Sequence, residues 1–155
     1  MAQSARYAGP MAGFLAAVAP FAVALGAPGA LVATAVPADH GAKQAALTLR
    51  ATFELQCGRA NAVTVGLPAA MGVRTIQPGA VLVNGLHPAS VRRTNHVFQV
   101  TMPPPQGMIC NSIGPARVTV RFTSAAGLVN PAKPGSYAVW LRTRGHTAAG
   151  RLRIS

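Results

Sequence analysis

Acidic side chains are nearly missing from this chain: Asp39 and Glu54 are its only carboxylate residues among 155. That scarcity removes several chemistries. A glycosidase needs two carboxylates flanking one bond, and a Ser-His-Asp arrangement would have to borrow one of these two. Oxygen-rich calcium sites need several carboxylates together. The sequence also holds no Gly-x-Ser-x-Gly elbow, no His-Glu-x-x-His and no Gly-x-x-x-x-Gly-Lys-Ser/Thr loop. An enzyme is not expected, an exported hydrolase is a distant alternative, and no cofactor is implied.

Cysteine is equally scarce. Cys57 and Cys110 are the only two, and in an exported chain an even pair reads most simply as one disulfide. Such a bridge would close a loop of about 50 residues, for which loop entropy gives roughly 4 kcal/mol before any strain is subtracted. Two free buried thiols are the alternative. No metal site is expected, because the cysteines are far apart and His40, His87, His96 and His146 show no ligand spacing.

The first 38 residues differ from the rest. Arg6 is their only charge, and an apolar run from Met11 passes into small residues ending at Ala33-Thr34-Ala35 and Val36-Pro37-Ala38. A short basic start, an apolar middle and small residues form a secretory signal, here a signal helix over 1–38 with cleavage after Ala35 or Ala38. A retained membrane anchor is the competing reading, since the run exceeds the ~20 residues that span a bilayer; Pro20, Gly26, Pro28 and Gly29 interrupt it. With the signal removed, 117 of the 155 residues remain, as one domain, 13 Lys+Arg stand against 2 acids, or +11, and no later run can cross a membrane. Residues 39–46 read as a flexible lead-in and 47–155 as the domain.

Within that domain apolar residues alternate with polar ones. Leu47, Leu49, Ala51, Phe53 and Leu55 share one parity, as do Val63, Val65 and Leu67, then Phe98, Val100 and Met102, then Val118, Val120 and Phe122, then Tyr137, Val139 and Leu141. Pro78-Gly79, Asn84-Gly85 and Pro103-Pro104-Pro105 mark turns or strand ends, with a short hairpin over 81–91 and a last strand from Gly150. About seven short strands at turn-marked intervals predict an all-β, antiparallel two-sheet sandwich. The lone Trp140 is expected to be buried on the second face of a central strand.

The order Val63-Thr-Val-Gly-Leu-Pro68, Val81-Leu-Val-Asn84-Gly85, Val118-Thr-Val-Arg-Phe122, Gly127-Leu-Val-Asn130-Pro131 and Gly135-Ser-Tyr137-Ala-Val-Trp-Leu141 resembles the immunoglobulin-like domains repeated in large secreted bacterial and archaeal surface proteins. The resemblance covers about residues 60–143. It implies an immunoglobulin-like β-sandwich outside the cytoplasm with a structural or adhesive role and no catalytic residues. The chain departs from that pattern in holding one copy, in its basic charge, and in the segment from Pro103 to Cys110.

Charge is the feature with functional content. Lys and Arg number 14, for a formal net charge of +12, and Arg50, Arg117, Arg121, Arg142, Arg144, Arg151 and Arg153 fall on or beside predicted strands. Arg117 with Arg121, and Arg151 with Arg153, share a parity and so a face. Neighbouring strands would turn them into an arginine ladder that an anionic partner relieves. The partner would be a wall polymer, acidic polysaccharide or lipid headgroup; no nucleic-acid motif is present. The bland alternative is a GC-rich coding sequence with arginine as its default surface residue. Nothing in the sequence sets the oligomeric state.

Overall fold

The computed structural model describes residues 29–53, 61–103, 116–143 and 146–155. They form nine strands: β1 Gly29–Val36, β2 Ala46–Phe53, β3 Ala62–Gly66, β4 Val81–Val83, β5 Ser90–Thr94, β6 Val97–Thr101, β7 Ala116–Thr123, β8 Gly135–Thr143 and β9 His146–Ile154. One sheet runs in the order β4-β7-β2-β1-β9-β8-β3-β6-β5. It curls so that its two halves close on one core, and the rings of Phe122 on β7 and Phe98 on β6 meet edge to face with centroids 5.9 Å apart.

The alternation explains the core. Leu47, Leu49, Val63, Val65, Phe98, Val100, Val118, Val120, Phe122 and Leu141 are fully buried, and each such side chain contributes about 1.5–3 kcal/mol of transfer free energy. Both edges of the sheet are poor templates for a further strand. β4 has three residues, and β5 carries Arg92 and Arg93, which is how edges resist pairing with other chains. Arg93 is fixed across the edge, donating to the carbonyls of Asn95 at 2.6 Å and Val73 at 2.9 Å.

The structure departs from the sequence reading in four places. Nine strands are present rather than about seven, and β1 pairs in parallel with β9 while all other pairings are antiparallel. The strand missed is β1, which lies in the segment read as a leader and is inserted between β2 and β9. Its inner residues Leu31 and Ala35 are each 7% exposed and belong to the core.

Residues 39–46 are not a free lead-in either. Asn130 is buried, donates through Nδ2 to the carbonyls of Pro37 at 3.0 Å and Asp39 at 2.7 Å, and accepts from Gln44 Nε2. Backbone bonds from Gly41 to Pro131 and from Gln44 to Leu128 tie down the same loop. The Gly127-x-x-Asn130-Pro131 motif is thus a clamp on the β1–β2 connection.

Asn84 and Gly85 do take positive φ, 50° and 86°, as their turn chemistry predicts. They do not close a hairpin between strands, however. Only Val83 and Leu86 bridge; beyond them the chain crosses over, leaving β4 and β5 on opposite edges, and the hairpin forms instead between β5 and β6 around Asn95, at φ 55°. The last strand begins at His146 rather than Gly150.

Candidate anion-binding face

Register decides which arginines share a surface. Thr48 pairs with Arg121, Arg50 with Thr119 and Thr52 with Arg117; Val32 pairs with Arg50 on one side and with Arg151 on the other. Arg151 pairs with Ala138, Arg153 with Ser136 and Thr147 with Arg142. Residues directly opposite point to the same side of a sheet. Arg50, Arg117, Arg121, Arg142, Arg151 and Arg153 therefore lie on one continuous outer face, across β7, β2, β1, β9 and β8, and all six are exposed. Arg144, Cys57 and Cys110 lie outside the described residues, so the expected disulfide does too.

Arg142 on β8 and Arg151 on β9 are oriented by neighbours. Arg151 donates through Nε to Ser136 Oγ at 2.7 Å and through Nη2 to the Ser136 carbonyl at 2.8 Å. Arg142 donates through Nε to Thr147 Oγ1 at 3.1 Å, and its guanidinium carbon sits 5.4 Å from the centroid of Trp140. Such contacts hold a guanidinium in place while leaving other N–H groups for an anion. Trp140 lies on this outer face, the second face of its strand as expected, but half-buried rather than buried, packed over Gly66 of β3.

Among the described residues no carboxylate lies on the strands of this face. Asp39 is in the β1–β2 loop and Glu54 lies outside the described residues. Among the described residues no cluster of three or more His, Cys, Asp or Glu could hold a metal ion, and no helix is long and apolar enough to cross a membrane.

Two depressions flank this part of the sheet. One, of about 420 Å³, lies along β1 and β9 between Val32, Thr34, Arg151 and Arg153. The other, of about 440 Å³, lies over β2 and β7 and is lined by Val36, Thr48, Arg50, Leu82 and Arg121. Sequence parity finds the arginine pairs within a strand, but it does not find the residues between them, because β1 gave no strand signal.

The start of β8 carries another recognisable device. Tyr137 donates its hydroxyl to the carbonyl of Lys133, four residues upstream, at 2.7 Å, the arrangement of a tyrosine corner in immunoglobulin-type sandwiches. The fold is immunoglobulin-like. Among solved structures, the chain is similar to BslA, a bacterial hydrophobin, with a TM-score of 0.52 and 12% identity over 81% of this chain and 94% of that one. It is also similar to an uncharacterized immunoglobulin-like protein from Nocardia farcinica, with a TM-score of 0.46 and 15% identity over 81% and 97%. A third is the N-terminal domain of the Streptococcus gordonii adhesin Sgo0707, with a TM-score of 0.44 and 11% identity over 83% of this chain and 32% of that one. No family model matches the chain, and no curated protein matches it.

Proposed function

We propose that the protein is a non-catalytic, surface-associated β-sandwich module outside the cytoplasm that binds an anionic polymer through its outer arginine face. The observation that carries this is the gathering of six arginines on four of five consecutive strands, in a chain with only two acidic side chains. Guanidiniums on adjacent strands repel one another, and a polyanion removes that repulsion while accepting their charged hydrogen bonds. A composition effect alone would spread arginines over every surface and loop, whereas half of the twelve arginines lie on this face.

The likeness to a hydrophobin supports the fold and not surface activity. Among the described residues the exposed large apolar side chains are Val32, Val36 and Leu86, and Val32 stands between two arginines. A surface-active face needs a contiguous apolar patch of several hundred Å².

The test is titration with linear polyphosphate and with a uronate polysaccharide across a salt series. Each arginine seated on an anion displaces counterions, so four contacts give a slope of about −3 in log K against log salt. Affinity should then fall about a thousandfold between 0.05 and 0.5 M NaCl. Binding that persists unchanged at 0.5 M NaCl overturns the reading, as does wild-type affinity in a chain carrying Arg50→Ala, Arg121→Ala and Arg151→Ala.

A further inference from the structure

The geometry points to a trough along β1 as the seat of one linear polyanion chain, an inference that rests on the polyanion reading above and narrows it to a place and a direction. The outward residues of β1 are Ala30, Val32, Thr34 and Val36, short and uncharged. On the β2 and β7 side stand Arg50 and Arg121; on the β9 side stand Arg151 and Arg153. Long cationic side chains on both sides of a short uncharged strand make walls and a floor.

Dimensions follow from sheet geometry. Arg50 and Arg151 sit on either side of Val32, two strand spacings or about 10 Å apart at their Cα atoms. Arg151 and Arg153 are two residues apart on one strand, about 6.7 Å. The trough therefore presents Arg50 and Arg151 on its two flanks at the level of Val32, and about 6.7 Å along the strand, at the level of Thr34, Arg153 and, one strand farther out on β7, Arg121. An extended polymer bearing one negative charge per repeat unit can lie along it and meet both walls.

A membrane surface fits less well. Insertion into lipid requires apolar side chains that project beyond the charges, and Val32, although 62% exposed, is two bonds long and paired on both sides with the much longer arginines Arg50 and Arg151. Arg151 is also held by Ser136 through its Nε and one Nη, which fixes its place beside the floor. The floor suits the uncharged backbone of a polymer lying between anionic groups.

The experiment is a set of full-chain variants titrated with linear polyphosphates of graded length and with phosphatidylglycerol vesicles. Val32→Glu puts a carboxylate on the floor, and Val32→Gln controls for size; thermal unfolding confirms that both remain folded. Polyphosphate affinity is expected to drop at least tenfold in Val32→Glu, to stay within about twofold in Val32→Gln, and to rise with chain length only until the polymer spans the trough. Arg142→Ala, on the same face but beyond the end of β1, should cost much less. Val32→Glu binding as wild type while Arg142→Ala weakens binding overturns the trough and leaves the face reading intact. Insensitivity to both, with binding lost in Arg92→Ala and Arg93→Ala, overturns the face reading itself. Tight vesicle binding without polyphosphate binding, abolished by Val32→Glu, assigns the trough to a membrane and overturns the linear polymer.

Discussion

The indole of Trp140 occupies the space that a side chain on Gly66 would fill. The two residues are directly paired across β3 and β8, and a Cβ placed on Gly66 would stand 2.1 Å from both Nε1 and Cε2 of the ring. The glycine is what lets the ring lie down on the outer face, where Arg142 then covers it. Two strands, β3 and β8, are joined by one contact set.

Gly66→Ala should therefore destabilise the domain by about 1–3 kcal/mol, the range for overpacking a filled site. Adding Trp140→Ala to the same chain should recover part of the loss, a coupling that a double-mutant cycle reads directly. Urea unfolding followed by circular dichroism suits all four chains. Because Trp140 is the only tryptophan, its fluorescence in wild type also reports on polyanion binding near Arg142.

Asn130 governs a different part of the fold. Its side chain satisfies two loop carbonyls and Gln44 at once in a buried position. Asn130→Ala orphans the buried Gln44 amide at about 1–3 kcal/mol, while the carbonyls of Pro37 and Asp39, on exposed residues, can turn to water. A loss of about 2 kcal/mol in urea unfolding is expected, with faster amide exchange at Gly41 and Gln44, whose N–H groups bond into the same turn. Unchanged exchange there would contradict the clamp.

The tyrosine corner makes a smaller contribution. Tyr137→Phe keeps the ring and removes only the hydroxyl bond to Lys133. That bond is exposed, and a loss of about 1 kcal/mol is expected, measured as a shift in the urea midpoint with an unchanged slope.

These strands differ in how plainly they could be read. β2, β3, β6, β7 and β8 alternate an apolar and a polar face, so one side of each announces the core. β1 does not, because its inner Leu31, Ala33 and Ala35 are matched on the outside by Ala30, Val32 and Val36, with Thr34 the one polar residue, a run that reads as the end of an export signal. The arginine face was legible only in fragments for the same reason. Parity joins Arg117 to Arg121 and Arg151 to Arg153, but β7 and β9 become parts of one surface only through β2 and β1 between them. The clamp by Asn130 is invisible locally, since its partners Pro37 and Asp39 lie more than 90 residues away.

The insertion of β1 sets the last prediction. Cutting after Ala35 or Ala38 would remove a strand bonded on both sides, leaving the inner edges of β2 and β9 unpaired and taking Leu31 and Ala35 out of the core. An open pair of edges in mid-sheet is a template for aggregation, and losing the buried Leu31 alone costs about 2–5 kcal/mol on the scale of leucine truncations. A chain beginning at Gly29 should give a monodisperse β-rich species with cooperative thermal unfolding. A chain beginning at Asp39 should be aggregated or unfolded under the same conditions. Leu31→Asp in the longer chain should reproduce much of that defect by placing a carboxylate in the core. Cooperative folding of the Asp39 chain at the same melting temperature would show that β1 is dispensable, and would return residues 29–36 to a leader role.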